Sequence, residues 1–429
     1  MVGLDVARGV ALLGMVSVHV TIESTGWWNG IASGRASVLF IALAGVVVST
    51  MDRRGSTSTQ PTYLRRRAAS LVLVGLLMAS TIWMSTILHY YGVLFLVAPF
   101  LLKRTTRCLA VMATVAIAIG PVVIVAIGPH TGWAFSLPTV SGWLATTAID
   151  MTTGLYALVV WVGLFIAGII VGRFDLTRRR NALNLMGAGI SLAIAVTVIS
   201  NALPWQPEPM DDTSSTTSSS EGLATGSSGG VAGLADSDGA SGSLFTDDGK
   251  SFLVERSETG DWSTTGELDE DAMLGGSVDL GDGSGWSSLN DLSAHSNRTP
   301  WALQSLGIAL AVIGLFTALP QAVLRLLRPI ATLGSMTLSA YVVHSFLVQD
   351  VWSWVGAADH PERQVPALLG IFAVLILGAL AIRARWSQGP FEWLLKWISG
   401  RPTGRVATAT PLSTIEPDMP RIQSLRTSP

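Results

Sequence analysis

Three ionisable side chains, Asp5, Arg8 and His19, interrupt the otherwise apolar opening stretch MVGLDVARGVALLGMVSVHV. An ionisable group inside an apolar membrane helix is costly, and by default it marks a functional site. Arg8 and His19 are eleven residues apart, so a helix places them on nearly the same face and about 16 Å apart along its axis. Such a helix would hold a cation near one membrane surface and an imidazole well inside the bilayer.

Each of these groups has a functional and a structural interpretation. The His19 imidazole can be a general base or an acyl-carrying nucleophile, or it can only hydrogen-bond a neighbouring helix. Arg8 can clamp the phosphate groups of a cytosolic donor, or it can anchor the helix at the membrane surface. Asp5 can pair with Arg8 one turn away, or it can be an acid that the helix dipole favours in the first turn.

The composition predicts an all-α polytopic membrane bundle. Of the 429 residues, 49% are hydrophobic and only 13% are charged, which is too apolar for an ordinary soluble protein. We therefore expect the lipid bilayer as a partner and no nucleic acid, because the basic residues form short clusters between apolar runs. The single cysteine, Cys108, excludes an intrachain disulfide and a cysteine-based metal site, and we expect no metal cofactor.

About ten apolar segments are long enough, or nearly long enough, to cross a membrane. Basic clusters follow the even-numbered segments, which by the positive-inside rule predicts that both termini face the cytoplasm. We therefore expect an integral protein of a bacterial plasma membrane. The segments are residues 4–23, 35–50, 68–87, 89–102, 108–128, 156–172, 182–203, 301–319, 332–352 and 366–384.

These segments divide the chain into four parts. Residues 1–204 hold membrane helices one to seven, and residues 300–400 hold helices eight to ten. Between them, residues 205–299 contain 18 of the 29 acidic residues and are rich in Ser and Gly, so we expect a disordered extracytoplasmic loop. Residues 401–429 are expected to form a disordered cytoplasmic tail.

Further candidates lie deep in the predicted helices or at their outer ends. His344 falls near the middle of the ninth segment, with Tyr341 one turn earlier, and could face His19 in a common cavity. The candidates for binding an acceptor at the outer face are Arg35, His89, Tyr90, Tyr341, Asp150 and His295. Interfacial anchoring or interhelical hydrogen bonds are the structural alternatives for these residues.

Several of these residues stand in an order that resembles the transmembrane acyltransferase superfamily. Arg8-x10-His19 resembles the first helix of the acyltransferase-3 family, but the chain is more similar to the heparan-alpha-glucosaminide N-acetyltransferase-like family. The matching motifs are Gly3-Leu4-Asp5-Val6-Ala7-Arg8-Gly9, Trp28-Asn29-Gly30, His89-Tyr90-Tyr91-Gly92, Gly172-Arg173-Phe174-Asp175-Leu176, His295-Ser296 and Gly334-Ser335-Met336-Thr337-Leu338. The resemblance covers residues 3–204 and 293–400.

This resemblance implies a membrane acyltransferase that uses acyl-CoA, acetyl-CoA in particular, as its cytosolic donor. The implied acceptor is a hydroxyl or amine of an extracytoplasmic glycan, glycolipid or other cell-envelope molecule. In the eukaryotic enzymes the catalytic histidine lies three residues before Trp-Asn-Gly, where this chain has Thr25. The catalytic candidates are therefore His19, Arg8, Asp5 and His344.

Two other classes of protein fit the same pattern of apolar segments. A transporter or flippase would often show inverted repeats and helices broken at matching positions, and the sequence shows no clear repeat. A non-catalytic membrane scaffold would tolerate loss of its intramembrane polar groups. Soluble-enzyme signatures do not decide the matter, because the chain has no G-x-S-x-G, no H-E-x-x-H and no P-loop motif.

Overall fold

The structure is a computed structural model of the chain. It describes residues 2–20, 32–55, 61–81, 86–127, 151–152, 154, 156–202, 241–245, 251–256, 262–267, 289–355 and 361–400. Asp150, Thr25 and the tail 401–429 lie outside these residues.

The described residues form a helical bundle and one small sheet. Thirteen helices lie in the described part of the chain, and the strands belong to the insertion between α7 and α8. The elements are α1 (Val2–Val20), α2 (Arg35–Arg53), α3 (Pro61–Thr81), α4 (Leu88–Leu102), α5 (Thr106–Ile127), α6 (Leu158–Gly172), α7 (Arg179–Ala202), β1 (Ser241–Phe245), β2 (Ser251–Arg256), β3 (Trp262–Glu267), α8 (Thr299–Ala318), α9 (Gln321–Leu326), α10 (Arg328–Ser335), α11 (Thr337–Val355), α12 (Pro361–Arg385) and α13 (Pro390–Ser399).

Each of the ten apolar segments coincides with a helix or a helix pair, which confirms the all-α membrane class. Among the described residues, six helices are long and apolar enough to span a bilayer: α1, α2, α5, α7, α8 and α12. The pair α10 and α11, bent by 89°, adds a seventh if it counts as one span. The apolar helices α4 and α6 have only 15 residues each, so the count of ten stays a prediction.

Glycines let neighbouring helices approach to backbone contact. A Cβ at Gly168 of α6 would overlap the Ala42 carbonyl oxygen of α2, and a Cβ at Gly45 of α2 would overlap the Phe165 carbonyl oxygen of α6. The same reciprocal arrangement joins Gly189 of α7 to Gly307 of α8. Small residues that allow such close packing hold membrane helices together where lipid supplies no hydrophobic driving force.

Helix α1 packs most extensively against α10. A Cβ at Gly9 would overlap the Ile330 carbonyl oxygen, and a Cβ at Gly334 would overlap the Asp5 carbonyl oxygen. The 89° bend after Ser335 then turns α11 along the bundle. As a result, α11 carries Tyr341 and His344 towards the Val20 end of α1.

The insertion contains a three-stranded antiparallel sheet in the order β1-β2-β3. Ser, Gly and Asp dominate this segment, so its composition predicts no such sheet. The segment also returns to the bundle before residue 300, because Asn290 donates a hydrogen bond from Nδ2 to the Ser200 carbonyl at 3.1 Å. The end of the insertion is therefore part of the helical structure.

The close approach of α2 and α6 generates a stability prediction. We expect Gly168→Ala to destabilise the detergent-solubilised protein by about 1–3 kcal/mol, because the added methyl overpacks a well-packed contact. The measurement is the midpoint of thermal unfolding. Gly187→Ala is the matched control, since a Cβ at this helical glycine meets nothing within 4 Å. Equal midpoints for the two variants would contradict the packing described.

Candidate active site

The two histidines that the sequence places in separate helices lie side by side. Nδ1 of His19 on α1 and Nε2 of His344 on α11 are 3.4 Å apart. Their rings are stacked, with centroids 5.5 Å apart and an angle of 11° between the planes. His344 is fully buried. The structure thus brings together two catalytic candidates that are 325 residues apart in the sequence.

Tyr341 extends this pair towards α4. It lies three residues before His344, and the two rings meet edge to face with centroids 5.0 Å apart. The Tyr341 hydroxyl oxygen accepts a hydrogen bond from the backbone N–H of Ile87 at 3.3 Å. One turn of α11 therefore links α1 to the start of α4.

Aromatic rings surround His295 at the end of the insertion. The Tyr156 ring contacts the His295 ring edge to face at 5.5 Å between centroids, and Trp301 lies 6.2 Å from it. Tyr90 contacts Tyr156 at 5.2 Å. His295 also lies within electrostatic range of His19, so the aromatic cluster borders the histidine pair.

The turn that presents His295 depends on Asn297. Both residues have left-handed backbones, with φ of 61° and 54°, which is uncommon for residues other than glycine. The Asn297 amide donates to the carbonyls of Gly154 and His295, both at 3.1 Å, and its Oδ1 accepts from Trp161 Nε1 at 2.6 Å. Sequence reasoning misses Asn297 because its tryptophan partner lies 136 residues away.

The cation beside this turn is Arg298, the residue before α8, and it is 8% exposed. Burial lowers the pKa of its guanidinium below the usual value, while nearby Asp291 raises it. A guanidinium keeps its proton in proteins. Arg298 therefore places a positive charge next to the His295 turn.

His89 holds a defined tautomer. The single hydroxyl hydrogen of Thr86 is donated to the Gly75 carbonyl at 3.0 Å, so the 3.2 Å contact between Thr86 Oγ1 and His89 Nδ1 requires Nδ1 to be the donor. In a neutral ring the lone pair then lies on Nε2. Nε2 is buried and has no hydrogen-bond partner among the described residues. The neighbouring Tyr90 ring lies 4.2 Å away between centroids.

Asp5 and Arg8 form an ion pair at the other end of α1. Arg8 Nη1 donates to Asp5 Oδ1 at 2.6 Å, and Asp5 also lies in the first turn of the helix. Asp5 therefore both pairs with Arg8 and lies where the helix dipole favours an acidic side chain. Both side chains keep about a quarter of their surface exposed, so the pair can be reached by a ligand.

Arg35 lies in a different hydrogen-bond chain. Its guanidinium donates to Gln304 Oε1 at 2.7 Å, and Gln304 in turn donates to the Thr197 hydroxyl at 2.8 Å. These contacts join α2 to α8 and α7. Asp150 lies outside the described residues. Within the described residues, no group of three or more His, Cys, Asp or Glu side chains could hold a metal ion.

Two families match the chain. Residues 1–203 match the family described as heparan-alpha-glucosaminide N-acetyltransferase, catalytic. Residues 287–401 match a family described as a protein of unknown function, DUF418. No curated protein and no solved structure matches the chain. Residues 204–286, which include the small sheet, fall between the two matches.

The spanning helices and the first match define the class: this is an integral membrane enzyme of the acetyltransferase type. The match over residues 1–203 supports a relationship to the heparan-alpha-glucosaminide N-acetyltransferase-like family. That match ends with α7, whereas the described partner of His19 lies on α11, within the second match. The candidate site is therefore assembled from both matched parts.

Asn297 provides a prediction for the His295 turn. We expect Asn297→Ala to lower the free energy of unfolding by about 1–3 kcal/mol, because Trp161 Nε1 and two carbonyls lose their partner. The measurement is thermal unfolding in detergent. Asn181→Ala is the control, since Asn181 donates one described hydrogen bond, to the Asp175 carbonyl. A larger loss for the control would contradict the anchoring role of Asn297.

Proposed function

We propose that the protein transfers an acyl group, acetyl in particular, from cytosolic acyl-CoA to a hydroxyl or amine of an extracytoplasmic glycan or other envelope molecule. The contact between His19 and His344 is the observation that carries this proposal. This contact connects α1, which lies in the first matched part of the chain, to α11, which lies in the second. The donor, the acceptor and the orientation in the membrane are inferences from the family and from the charge pattern of the loops.

The histidine pair supports base or nucleophile chemistry. Two imidazole nitrogens share one hydrogen bond only when one donates and the other accepts, so at least one ring is neutral. When His19 donates from Nδ1 to His344 Nε2, the lone pair of His19 lies on its Nε2. His344 then orients His19, as the supporting residue of a catalytic pair does.

Two routes use this lone pair. In direct transfer, His19 Nε2 takes the proton of the acceptor hydroxyl or amine, whose oxygen or nitrogen attacks the thioester carbonyl. In covalent transfer, Nε2 attacks the carbonyl itself, so that an N–C bond forms and the C–S bond breaks, and the acceptor then displaces the imidazole. In direct transfer, His19 passes the acceptor proton to the departing thiolate. In covalent transfer, the thiolate takes the Nδ1 proton of the acyl-imidazolium, and the proton that the acceptor later loses replaces it on the imidazole.

The outer aromatic cluster suits an acceptor. Tyr156 and Trp301 contact His295, and Tyr90 contacts Tyr156. Flat aromatic faces with a few polar groups are typical of small-molecule sites. His89 Nε2 adds a buried acceptor atom that the described structure leaves unpaired. We infer that these residues bind the acceptor, and Arg35, which Gln304 holds through a hydrogen bond at 2.7 Å, stays a candidate for the same role.

The histidine pair is tested by acyl transfer from labelled acetyl-CoA to membranes that hold each variant. We expect His19→Ala to lower the rate about 10²–10⁴-fold, as loss of a general base does. We expect His344→Ala to reduce it less, with partial rescue in His344→Gln, which can still accept a hydrogen bond.

Phe346→Ala is the control, because this α11 side chain is 48% exposed on the bundle surface. Label found on His19 in the absence of acceptor would distinguish covalent from direct transfer. Equal rates for wild type and His19→Ala would remove His19 from the mechanism. Substrate movement across vesicles without any acyl transfer would favour the transporter, for which the single broken pair α10–α11 would be the structural argument.

A further inference from the structure

Few contacts join α1 to the hairpin of α3 and α4, and we refer to the region between them as the cleft. Helix α1 packs mainly against α10, α2, α8 and α11, whereas α3 and α4 pack mainly against each other. Side chains of the two groups influence one another across this region, because Arg8 of α1 interacts electrostatically with Arg67 on α3 and with Tyr91 on α4. The cleft is thus defined by Arg8, Arg67 and Tyr91.

Positive charge exceeds negative charge in this cleft. Arg8 is paired with Asp5 at 2.6 Å. Arg67 lies over the Phe95 ring, with its guanidinium carbon 5.8 Å from the ring centroid. Within the described part of the chain no carboxylate lies within ion-pair distance of Arg67, so two guanidinium groups face one carboxylate. This excess favours an anion, and guanidinium groups bind phosphate particularly well.

Tyr91 offers a second and independent sign of a ligand. Its hydroxyl oxygen is buried and has no hydrogen-bond partner among the described residues. A buried polar atom without a partner is destabilising and calls for an explanation. Tyr91 and Phe95 are four residues apart on α4, so they share one face. Tyr91 also interacts electrostatically with Tyr341, whose ring contacts the His344 ring.

The length of the route restricts the ligand. Arg8 and His19 are separated by about 16 Å along α1. A donor whose anionic end lies at Arg8 and Arg67 must therefore carry its reacting carbonyl on a long arm. A small acyl phosphate cannot span this distance, whereas a thioester on a phosphorylated, amide-containing arm can.

We propose that Arg67 and Tyr91 bind the arm of such a phosphorylated thioester donor in this cleft, with Arg67 and Arg8 on its phosphate and the Tyr91 hydroxyl on a polar group of the arm. This inference rests on the proposed function, and it adds two binding residues and an entry route between α1 and the α3–α4 hairpin. The arm then reaches His19 past Tyr341.

The experiment measures binding of CoA itself to the purified full-length protein by calorimetry, together with KM and kcat for acetyl-CoA. We expect Arg67→Gln to raise both Kd and KM for the donor at least tenfold, and Tyr91→Phe to raise them severalfold, with the acceptor KM unchanged. Arg67→Lys, which keeps the charge, should lie between Arg67→Gln and wild type. Acetyl phosphate should not serve as donor.

Two controls match these changes in residue type. Arg65→Gln removes an exposed arginine two residues from Arg67. Tyr63→Phe removes the hydroxyl of a tyrosine on α3, as Tyr91→Phe does on α4. We expect both to bind CoA as the wild type does. Thermal unfolding identifies any variant that fails to fold, in which case Arg67→Lys and Tyr91→Phe carry the test.

The outcomes separate this inference from the proposed function. His19→Ala should bind CoA as the wild type does and transfer acetyl about 10²–10⁴-fold more slowly. If Arg67→Gln and Tyr91→Phe bind CoA as tightly as their controls while the wild type transfers acetyl, the donor cleft is wrong and the proposed function stands. If the wild type neither binds CoA nor transfers acetyl, both proposals fail.

Discussion

The close contact between α1 and the bent pair α10–α11 is the constraint on which the candidate site depends. Lipid tails supply no hydrophobic force between helices, so association relies on packing, and small residues permit it. Gly9 and Gly334 let the two backbones touch. The bend after Ser335 then directs α11 along α1. That packing contact brings Nε2 of His344 to within 3.4 Å of Nδ1 of His19.

The polar groups of the bundle follow α1 in order. Arg8 and Asp5 are paired near the Val2 end, and His19 meets His344 near the Val20 end. His295 interacts electrostatically with His19. Polar groups inside a membrane protein need partners from the protein or from a ligand. This succession supports our proposal that the donor binds on one side of the membrane and the acceptor on the other.

The end of the acidic insertion belongs to the site rather than to a separate loop. Asn297 ties it to α6 through Trp161 and to the chain before α6 through the Gly154 carbonyl. The left-handed backbones at His295 and Asn297 are unfavourable in isolation. The three hydrogen bonds of Asn297 offset that cost, and they hold the imidazole of His295 against Tyr156 and Trp301.

Much of this architecture could be predicted from the sequence, because membrane helices are recognised from local hydropathy and from the spacing of residues along one helix. The helical class, the ten apolar segments and the pairing of Asp5 with Arg8 all depend on residues close together in the chain. The polar composition of the insertion does not predict its sheet, because a sheet depends on pairing between residues of different strands.

Only the tertiary structure decided which polar groups meet. His19 and His344, Trp161 and Asn297, and Arg35 and Gln304 are pairs of distant residues whose contact follows from helix packing. The sequence singled out Arg35 as a candidate for acceptor binding, and the fold adds its hydrogen bond to Gln304 on α8. Sequence thus determined the helices and the kinds of groups they carry. The glycine contacts and the α10–α11 bend determined which of those groups form a site, because packing geometry is a property of the whole bundle.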